Sequence, residues 1–285
     1  MKKLKTIFAI LMFATGVGIA AYPIISNILY ERNATQVVES YDDAVEEMEQ
    51  EDIDAAREAA RKYNEQLQSA IVQDETGEGD QAGESYVDLS GVGESIGYIT
   101  IPKIDLELPV YEGSDDAVLQ KGIGHMEQSS YPIGGEGTHS VLTGHRGLPD
   151  AELFTHLDEM EEGDLFYLHV LDEILAYRVD QIKVVEPNET GDLDIIPGED
   201  YCTLVTCTPY SINTHRLLVR GVRTEYNGEL ESDVQYQELQ TGTLARRLID
   251  VLPWLLVVGT AAIGTEGVLL WLLIRRKKKR DREEL

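Results

Sequence analysis

The chain has 285 residues, of which 52 are acidic and 24 basic, so its formal net charge is -28 at pH 7. That length allows one core domain of roughly 130 to 200 residues plus accessory segments. The charge argues against nucleic-acid binding, which needs a basic surface. The acidic residues concentrate between Glu39 and Asp88, which favours a solvated acidic surface over a site for a basic partner.

The N-terminal segment, residues 1–32, is predicted to meet a membrane. Lys2, Lys3 and Lys5 precede an apolar run from Thr6 to about Tyr30. Two interpretations stay open: a signal peptide cleaved after Gly18-Ile-Ala20, or an uncleaved signal anchor. The anchor is preferred because the apolar run continues past that cleavage box.

Residues 33–96 are expected to form helices followed by a loop. Apolar residues recur every three or four positions from Thr35 to about Ile71, with an acidic break at Gln50-Glu-Asp52. This predicts two amphipathic helices that pack against the outer face of the domain or stand above the membrane. The acidic, glycine-rich stretch Asp74–Glu84 lacks the apolar residues to order itself and is a candidate lid, with Tyr86 as a candidate plug.

Residues 97–226 have a β pattern. Tyr98–Ile101 and the alternating run Ile104–Val110 indicate strands, and a hairpin is predicted around Leu171-Asp-Glu173. Many short strands with polar turns predict an antiparallel sandwich or barrel, and composition does not choose between them. The further strands are predicted at His139–Thr143, Leu165–Val170, Ile174–Val179, Ile182–Val185, Cys202–Cys207 and Leu217–Val222.

After a polar linker, residues 227–250, the segment 251–274 is predicted to be a transmembrane helix. It is long enough to cross a hydrocarbon core of about 30 Å, and the tail 275–285 that follows is strongly basic. Basic flanks remain on the cytoplasmic side. The sequence therefore predicts a cell-membrane protein with an extracellular domain and, if the first helix is uncleaved, both termini in the cytoplasm.

The two cysteines, Cys202 and Cys207, lie in one predicted strand. Five strand residues separate their Cα atoms by about 16 Å, whereas a disulfide tolerates at most about 7 Å. Cys207 is therefore expected to be a free thiol. Pro209 and Tyr210 follow it and suggest that the strand ends there, where a nucleophile would be accessible.

Cys207 has two candidate partners. Arg216 or Arg220, which share a strand face, could donate hydrogen bonds to a reacting carbonyl, and Arg216 is favoured because it lies nearer the turn between the two strands. His145, flanked by Gly144 and Gly147, is a candidate proton carrier, although His125 has a partly similar setting. Thr206 could orient a substrate through its hydroxyl or be an ordinary strand former.

Two runs containing these residues resemble the active-site segments of the sortases. The first run, Thr203-Leu-Val-Thr-Cys-Thr-Pro-Tyr210, contains Cys207, which lies nine positions before Arg216. The second run, Leu142-Thr-Gly-His-Arg-Gly147, contains His145. Ser140–Pro149 and Tyr210–Gly221 look like the pilin-polymerising class, class C. The resemblance covers roughly Gly97 to Tyr226 and implies an all-β catalytic core, a closed eight-stranded barrel.

The resemblance implies a cysteine transpeptidase that uses no cofactor, and no metal-binding motif is found in the sequence. Cys207 would attack the Thr–Gly carbonyl of a Leu-Pro-x-Thr-Gly sorting signal, Arg216 would stabilise the oxyanion, and His145 would carry the proton. The implied partners are secreted pilin or surface proteins with a C-terminal sorting signal. In class C a pilin lysine accepts the acyl group, whereas in the alternative, a housekeeping sortase, a cell-wall precursor does.

The chain departs from class C in one feature and leaves one further alternative. Class C lids commonly have an Asp-Pro-aromatic anchor, but no proline occurs between Pro23 and Pro102. The remote alternative is a non-enzymatic, wall-anchored surface protein. Such a protein needs a sorting signal before its apolar segment, and Thr241–Trp254 contains none.

Overall fold

A computed structural model of the protein describes residues 2–76 and 94–226. The described residues from Asn27 onward form one compact unit, and residues 2–26 belong to a second unit. Two long helices precede eight strands, a short helix and three 3₁₀ turns. The helices are α1 (Lys2–Glu47), α2 (Gln50–Thr76) and α3 (Asp116–Leu119), and the strands are β1 (Gly97–Ile101), β2 (Leu106–Glu112), β3 (Ile123–His125), β4 (Thr138–Thr143), β5 (Leu165–Val170), β6 (Glu173–Val185), β7 (Asp200–Thr208) and β8 (His215–Thr224).

The eight strands close into a barrel in the order β1-β2-β3-β4-β7-β8-β6-β5, with β5 pairing back onto β1. Most neighbours are antiparallel, but β2 with β3 and β4 with β7 are parallel. The predicted closed eight-stranded β-barrel is therefore confirmed. Closure also leaves β7 hydrogen-bonded on both sides, to β4 and to β8, which fixes its position firmly.

Side chains of β7 alternate between the inside and the outside of this barrel. Cys202 and Leu204 are 0% exposed and belong to the main core. Val205 points the other way and packs in a smaller cluster with Val141, Val185 and Leu218. Since the side-chain period of a strand is two, Cys207 shares the outer face with Val205.

From Asn27 onward the two long helices pack against the barrel, as one of the two sequence interpretations stated. The buried residues on them are Ala34, Val38, Tyr41, Ile53 and Ala60. The hydroxyl of Tyr41 accepts a hydrogen bond from the backbone N–H of Leu171 at 2.7 Å and lies 3.3 Å from the carbonyl of Ile96. The part of α1 from Asn27 onward and α2 therefore belong to the same folded unit as the barrel.

The helix boundaries differ in one respect from the prediction. The break between α1 and α2 falls at residues 48–49, close to the predicted acidic break. However, the predicted helix does not begin at Thr35, because α1 extends from Lys2 to Glu47. Nothing between Tyr30 and Thr35 favours a stop, since the stretch contains neither glycine nor proline.

Within the described residues, no single helix has the length and apolar character to cross a bilayer. Two segments of α1, Ile10–Ile19 and Ala21–Glu47, meet that criterion only when they are taken together, and a bend of about 40° separates them. Pro23 has no N–H to bond the carbonyl of Ile19, which accounts for the position of the bend. The predicted membrane segment 251–274, the linker 227–250, the basic tail and most of the candidate lid lie outside the described residues.

Two strand predictions need correction, and one strand was missed. The run predicted to begin at Ile104 begins at Leu106, because Pro102–Ile104 forms a 3₁₀ turn that ends at Asp105 with φ of 50°. The two strands predicted within 174–185 are one strand, β6, with an irregularity between Val179 and Gln181. The three-residue strand β3 was not predicted, since so short a segment has no measurable periodicity.

Candidate active site

Cys207 is the last residue but one of β7, and its side chain is half-buried on the outer face of the barrel. Residues 209–214 then form the turn that leads into β8. The other cysteine, Cys202, lies inside the barrel, where burial raises the pKa of its thiol well above the usual value. A buried thiol of this kind stays protonated and unreactive. The two cysteines therefore occupy the opposite faces that their odd spacing predicts.

Arg216 lies directly across from Cys207. Strands β7 and β8 are antiparallel, and the register pairs Cys207 with Arg216. Side chains paired in this way have Cβ atoms about 4.5 to 5.5 Å apart on the same face of the sheet. The Arg216 guanidinium donates hydrogen bonds to the carbonyls of His215 and Asn213, at 3.1 and 3.5 Å. These bonds hold it beside the turn that follows Cys207.

The second candidate, Arg220, is engaged elsewhere. Its guanidinium donates to both carboxylate oxygens of Asp180, at 3.0 and 2.6 Å, and stacks 4.2 Å from the ring centroid of Tyr201. Arg220 pairs with Thr203, four residues from Cys207 along β7. Its position and its partners therefore favour Arg216 as the cation next to the thiol.

His145 follows β4, which runs parallel to β7, so the ends of both strands lie at the same edge of the barrel. The backbone on both sides of His145 is held in place. Gly144 donates to the carbonyl of Val205 at 3.1 Å, and the carbonyl of His145 accepts from Phe154 at 3.1 Å. The half-buried imidazole itself has no hydrogen-bond or ion-pair partner among the described residues.

The other five histidines all have partners, which distinguishes them from His145. Burial lowers the pKa of His139 and of His169, the latter to about 4, so that both are neutral at pH 7. His125, which had a comparable sequence setting, is 1% exposed. The contacts are His125 with Glu112, Ser129 and Ser130, His139 with Asp194 and Thr203, His156 with Glu159, His169 with Thr100, and His215 with Thr214 and Glu186.

Thr206 points into the barrel wall and not into the outer face beside Cys207. Its side chain is 1% exposed, and its hydroxyl donates to the carbonyl of Gly144 at 2.7 Å. In this position Thr206 ties the loop that contains His145 to the strand that contains the thiol. Its predicted contact with substrate stays a prediction, and the structure gives it a different role to test.

Sequence reasoning missed Arg146, although the residue lies inside the motif that contains His145. Its side chain forms an ion pair with Asp158, donates to the hydroxyl of Thr208 at 3.3 Å and lies 5.9 Å from the ring centroid of Tyr210. The available signal was its place in the sequence, between His145 and Gly147. A lone arginine in a loop does not indicate by itself which partners it has.

Comparisons with known proteins point to one family. The sequence model of the Sortase domain family matches residues 99–224. The chain is similar to Streptococcus pneumoniae sortase C, with 46% sequence identity and a TM-score of 0.59, and the match covers 67% of this chain and 97% of that one. That crystal structure was reported for its insights into catalysis and pilin substrate specificity. Clostridium perfringens sortase C with the C-terminal cell wall sorting motif is 41% identical with a TM-score of 0.59, covering 68% and 100%.

A curated relative, sortase D of Bacillus subtilis, is 34% identical over 119 residues, which is 42% of this chain and 57% of that protein. The match therefore spans a little more than half of that relative's length. A closed barrel with a thiol and a guanidinium paired at one edge is the arrangement that the structure shows. The chain belongs to the sortase family, and its structural relatives place it in class C.

Proposed function

We propose that this protein cleaves a Leu-Pro-x-Thr-Gly-type sorting signal through a Cys207 thioester and transfers the acyl group to a pilin lysine, building covalent pili. The observation that carries the proposal is the cross-strand pairing of Cys207 with Arg216. It places a permanent cation with several N–H donors next to the sulfur. Any carbonyl that the sulfur attacks therefore has hydrogen-bond donors within reach of its oxygen.

In the first half of the reaction, the Cys207 thiolate attacks the carbonyl carbon of the signal threonine. Negative charge develops on the carbonyl oxygen, and Arg216 stabilises it by hydrogen bonding and by charge. The bond from this carbon to the glycine nitrogen then breaks. His145, as imidazolium, gives its proton to the departing amine, which leaves a thioester on Cys207 and a neutral imidazole.

In the second half, a neutral lysine amine attacks the thioester carbon. Its nitrogen loses a proton to His145, the bond between carbon and sulfur breaks, and the Cys207 thiolate is restored. One amide bond is exchanged for another, so the reaction needs neither oxidant nor cofactor. The free imidazole of His145, at the same barrel edge as Cys207, supports its role as the proton carrier in both halves.

The structural relatives support class C chemistry over the alternative. One of them is described in relation to pilin substrate specificity, and another was solved with a cell wall sorting motif. The alternative is a housekeeping sortase that transfers the acyl group to a cell-wall precursor. Under either proposal the partner is a secreted surface protein, and the catalytic domain works outside the cell at the membrane.

The test is intact mass of the protein after incubation with a Leu-Pro-x-Thr-Gly peptide, beside Cys207→Ala. An adduct equal in mass to the acyl half of the peptide, formed only with Cys207, is expected. The adduct is then offered a peptide with one lysine and a blocked N-terminus, in competition with triglycine as a mimic of the wall precursor. Product on the lysine Nζ supports pilin assembly, whereas product on triglycine alone favours the housekeeping role.

A further inference from the structure

Residues 144–147 form the loop that follows β4, and each of them makes a hydrogen bond to a neighbouring segment. Gly144 is bonded to Val205 and Thr206 of β7, and the carbonyl of His145 accepts from Phe154. Gly147 donates to the hydroxyl of Thr155 at 3.2 Å. All of these bonds use backbone groups of the loop. Arg146 is the residue of this loop whose side chain also reaches across to the thiol segment.

The Arg146 side chain joins three elements. On one side it forms an ion pair with Asp158, beyond the histidine loop. On the other side it donates to the hydroxyl of Thr208, the residue next to Cys207, and approaches the ring of Tyr210 in the turn that follows. The guanidinium therefore connects the segment of His145 with the segment of Cys207.

The backbone at Gly147 brings the same two segments into close contact. Gly147 has φ of 78°, and a Cβ atom at this position would lie 3.0 Å from the Tyr210 ring. Such a distance is shorter than an ordinary carbon contact of about 3.5 to 4.0 Å. The Tyr210 turn thus packs directly on the histidine loop, and Arg146 lies against the same ring.

The burial of Arg146 sets it apart from an ordinary surface ion pair. Its side chain is 7% exposed, and its Nε atom has no hydrogen-bond partner among the described residues. Removing a guanidinium from water is costly, and a single partly exposed carboxylate returns only part of that cost as stability. Stability alone is therefore a weak reason for this arrangement.

We propose that Arg146 is a positioning residue that fixes the distance and orientation between His145 and Cys207. The inference rests on the proposed roles of these two residues, and the contacts of the Arg146 side chain are to Asp158, Thr208 and Tyr210 and to neither of them. Its guanidinium fork can bond Asp158 and Thr208 at the same time, which the single ammonium of a lysine cannot do in the same geometry. Small errors in the placement of catalytic groups are known to cost about 100-fold in rate.

The experiment compares Arg146→Gln and Arg146→Lys in the full-length protein, with Arg57→Gln as the matched control. Arg57 is also an ion-paired, largely buried arginine, 20% exposed, but it joins α2 to the β5–β6 hairpin through Asp172 and Glu173. Single-turnover acylation by a Leu-Pro-x-Thr-Gly peptide gives a rate constant and a half-saturating concentration. Thermal midpoints are measured on the same samples.

Arg146→Gln is expected to lower the acylation rate constant 10- to 100-fold, with a half-saturating concentration within twofold of wild type. Its thermal midpoint should fall no further than that of Arg57→Gln, which keeps the wild-type rate constant. Arg146→Lys should recover less than a third of the lost rate. Full recovery by lysine would overturn the inference in favour of a simple charge effect, and so would a rate loss that matches a loss of folded protein.

A second measurement needs no substrate and separates this inference from the proposed function. The rate of Cys207 alkylation by iodoacetamide is followed against pH for wild type, His145→Gln and Arg146→Gln. Arg146→Gln is expected to move the profile in the same direction as His145→Gln. If wild type forms no acyl adduct, the proposed signal is wrong, and this profile still decides the role of Arg146. A profile that Arg146→Gln leaves unmoved overturns the inference, whether or not His145→Gln moves it.

Discussion

Thr206 offers the sharpest test of how the barrel holds the histidine loop. The change is Thr206→Val, which keeps the shape of the side chain and removes its hydroxyl. That hydroxyl donates to the carbonyl of Gly144 at 2.7 Å, and the side chain is 1% exposed. Because water does not reach the site, the carbonyl loses its partner without a substitute. The loop that leads into His145 also loses one of its attachments to β7.

The expected cost follows from the burial of this bond. A neutral hydrogen bond contributes about 0.5 to 1.5 kcal/mol net, and leaving a buried partner unsatisfied costs about 1 to 3 kcal/mol. We expect Thr206→Val to lower the free energy of unfolding by about 1 to 3 kcal/mol. In a domain of this size that corresponds to a thermal midpoint lower by roughly 2 to 10 °C.

The kinetic expectation separates the two roles of Thr206. If its hydroxyl positions the loop, kcat for peptide cleavage falls while KM stays near the wild-type value. If its hydroxyl binds substrate in ground state and transition state alike, KM rises with kcat unchanged. Steady-state kinetics with a Leu-Pro-x-Thr-Gly peptide, measured below the thermal midpoint of each variant, give both constants.

Thr206→Ser is the matched control. It keeps the hydroxyl and removes a buried methyl group, which costs about 1 kcal/mol of stability. We expect it to retain kcat although it loses some stability. Two results would refute the reasoning: Thr206→Val as stable and active as wild type, or Thr206→Ser as inactive as Thr206→Val. The first would show that the bond to Gly144 contributes nothing, and the second that the methyl group matters and not the hydroxyl.

Three further predictions concern Arg216, His169 and the N-terminal part of the folded unit. Arg216→Gln should lower kcat about 100- to 1,000-fold, the range for loss of an oxyanion donor, while Cys207 is still alkylated by iodoacetamide; an unchanged kcat would remove Arg216 from the site. His169 has a folded pKa of about 4 against about 6.5 in an unfolded chain, so the stability it contributes is full above pH 6.5 and is lost as pH falls towards 4. In urea unfolding at pH 7, 5.5 and 4.5, His169→Gln should therefore lose less stability on acidification than wild type, and a parallel decline would contradict this. A soluble domain that begins at residue 27 should have a higher thermal midpoint than one that begins at Thr35. The shorter domain loses two hydrogen bonds, because the side chain of Asn27 accepts from the backbone N–H of Glu152 at 3.0 Å and the hydroxyl of Tyr30 donates to the carbonyl of Lys121 at 2.8 Å. Equal midpoints would show that these contacts add no stability.

The positions of Cys207 and Arg216 were predictable because a strand has a simple period. An odd spacing separates Cys202 from Cys207 in β7, so their side chains take opposite faces, and the structure shows this. The sequence predicted that Cys207 and Arg216 lie across from each other if their two strands are neighbours. The register of β7 with β8 meets that condition.

Other features depend on contacts that a local pattern does not contain. The choice between sandwich and barrel depends on the pairing of β5 with β1, far apart in sequence, and came only from the family resemblance. The sequence setting of His145 was partly shared by His125, and the structure separates His145 from the other five histidines by their partners, such as Ser130 for His125 and Asp194 for His139. Likewise, the partners of Arg146 come from separate segments, and no spacing rule connects them.

The exposure of Cys207 and the burial of Thr206 are two consequences of one register. Leu204 points into the barrel and Val205 packs on its outer face, so the apolar demands of both faces fix which way each side chain of β7 points. A slip of one residue would turn every side chain to the other face. Cys207 would then enter the core, and the hydroxyl of Thr206 would leave the carbonyl of Gly144. Because β4 and β8 hold β7 on both sides, such a slip would have to break two ladders at once. The apolar residues before the cysteine therefore determine to which face of the barrel wall the Cys207 side chain points, so they shape the candidate site from within the core and from its outer face.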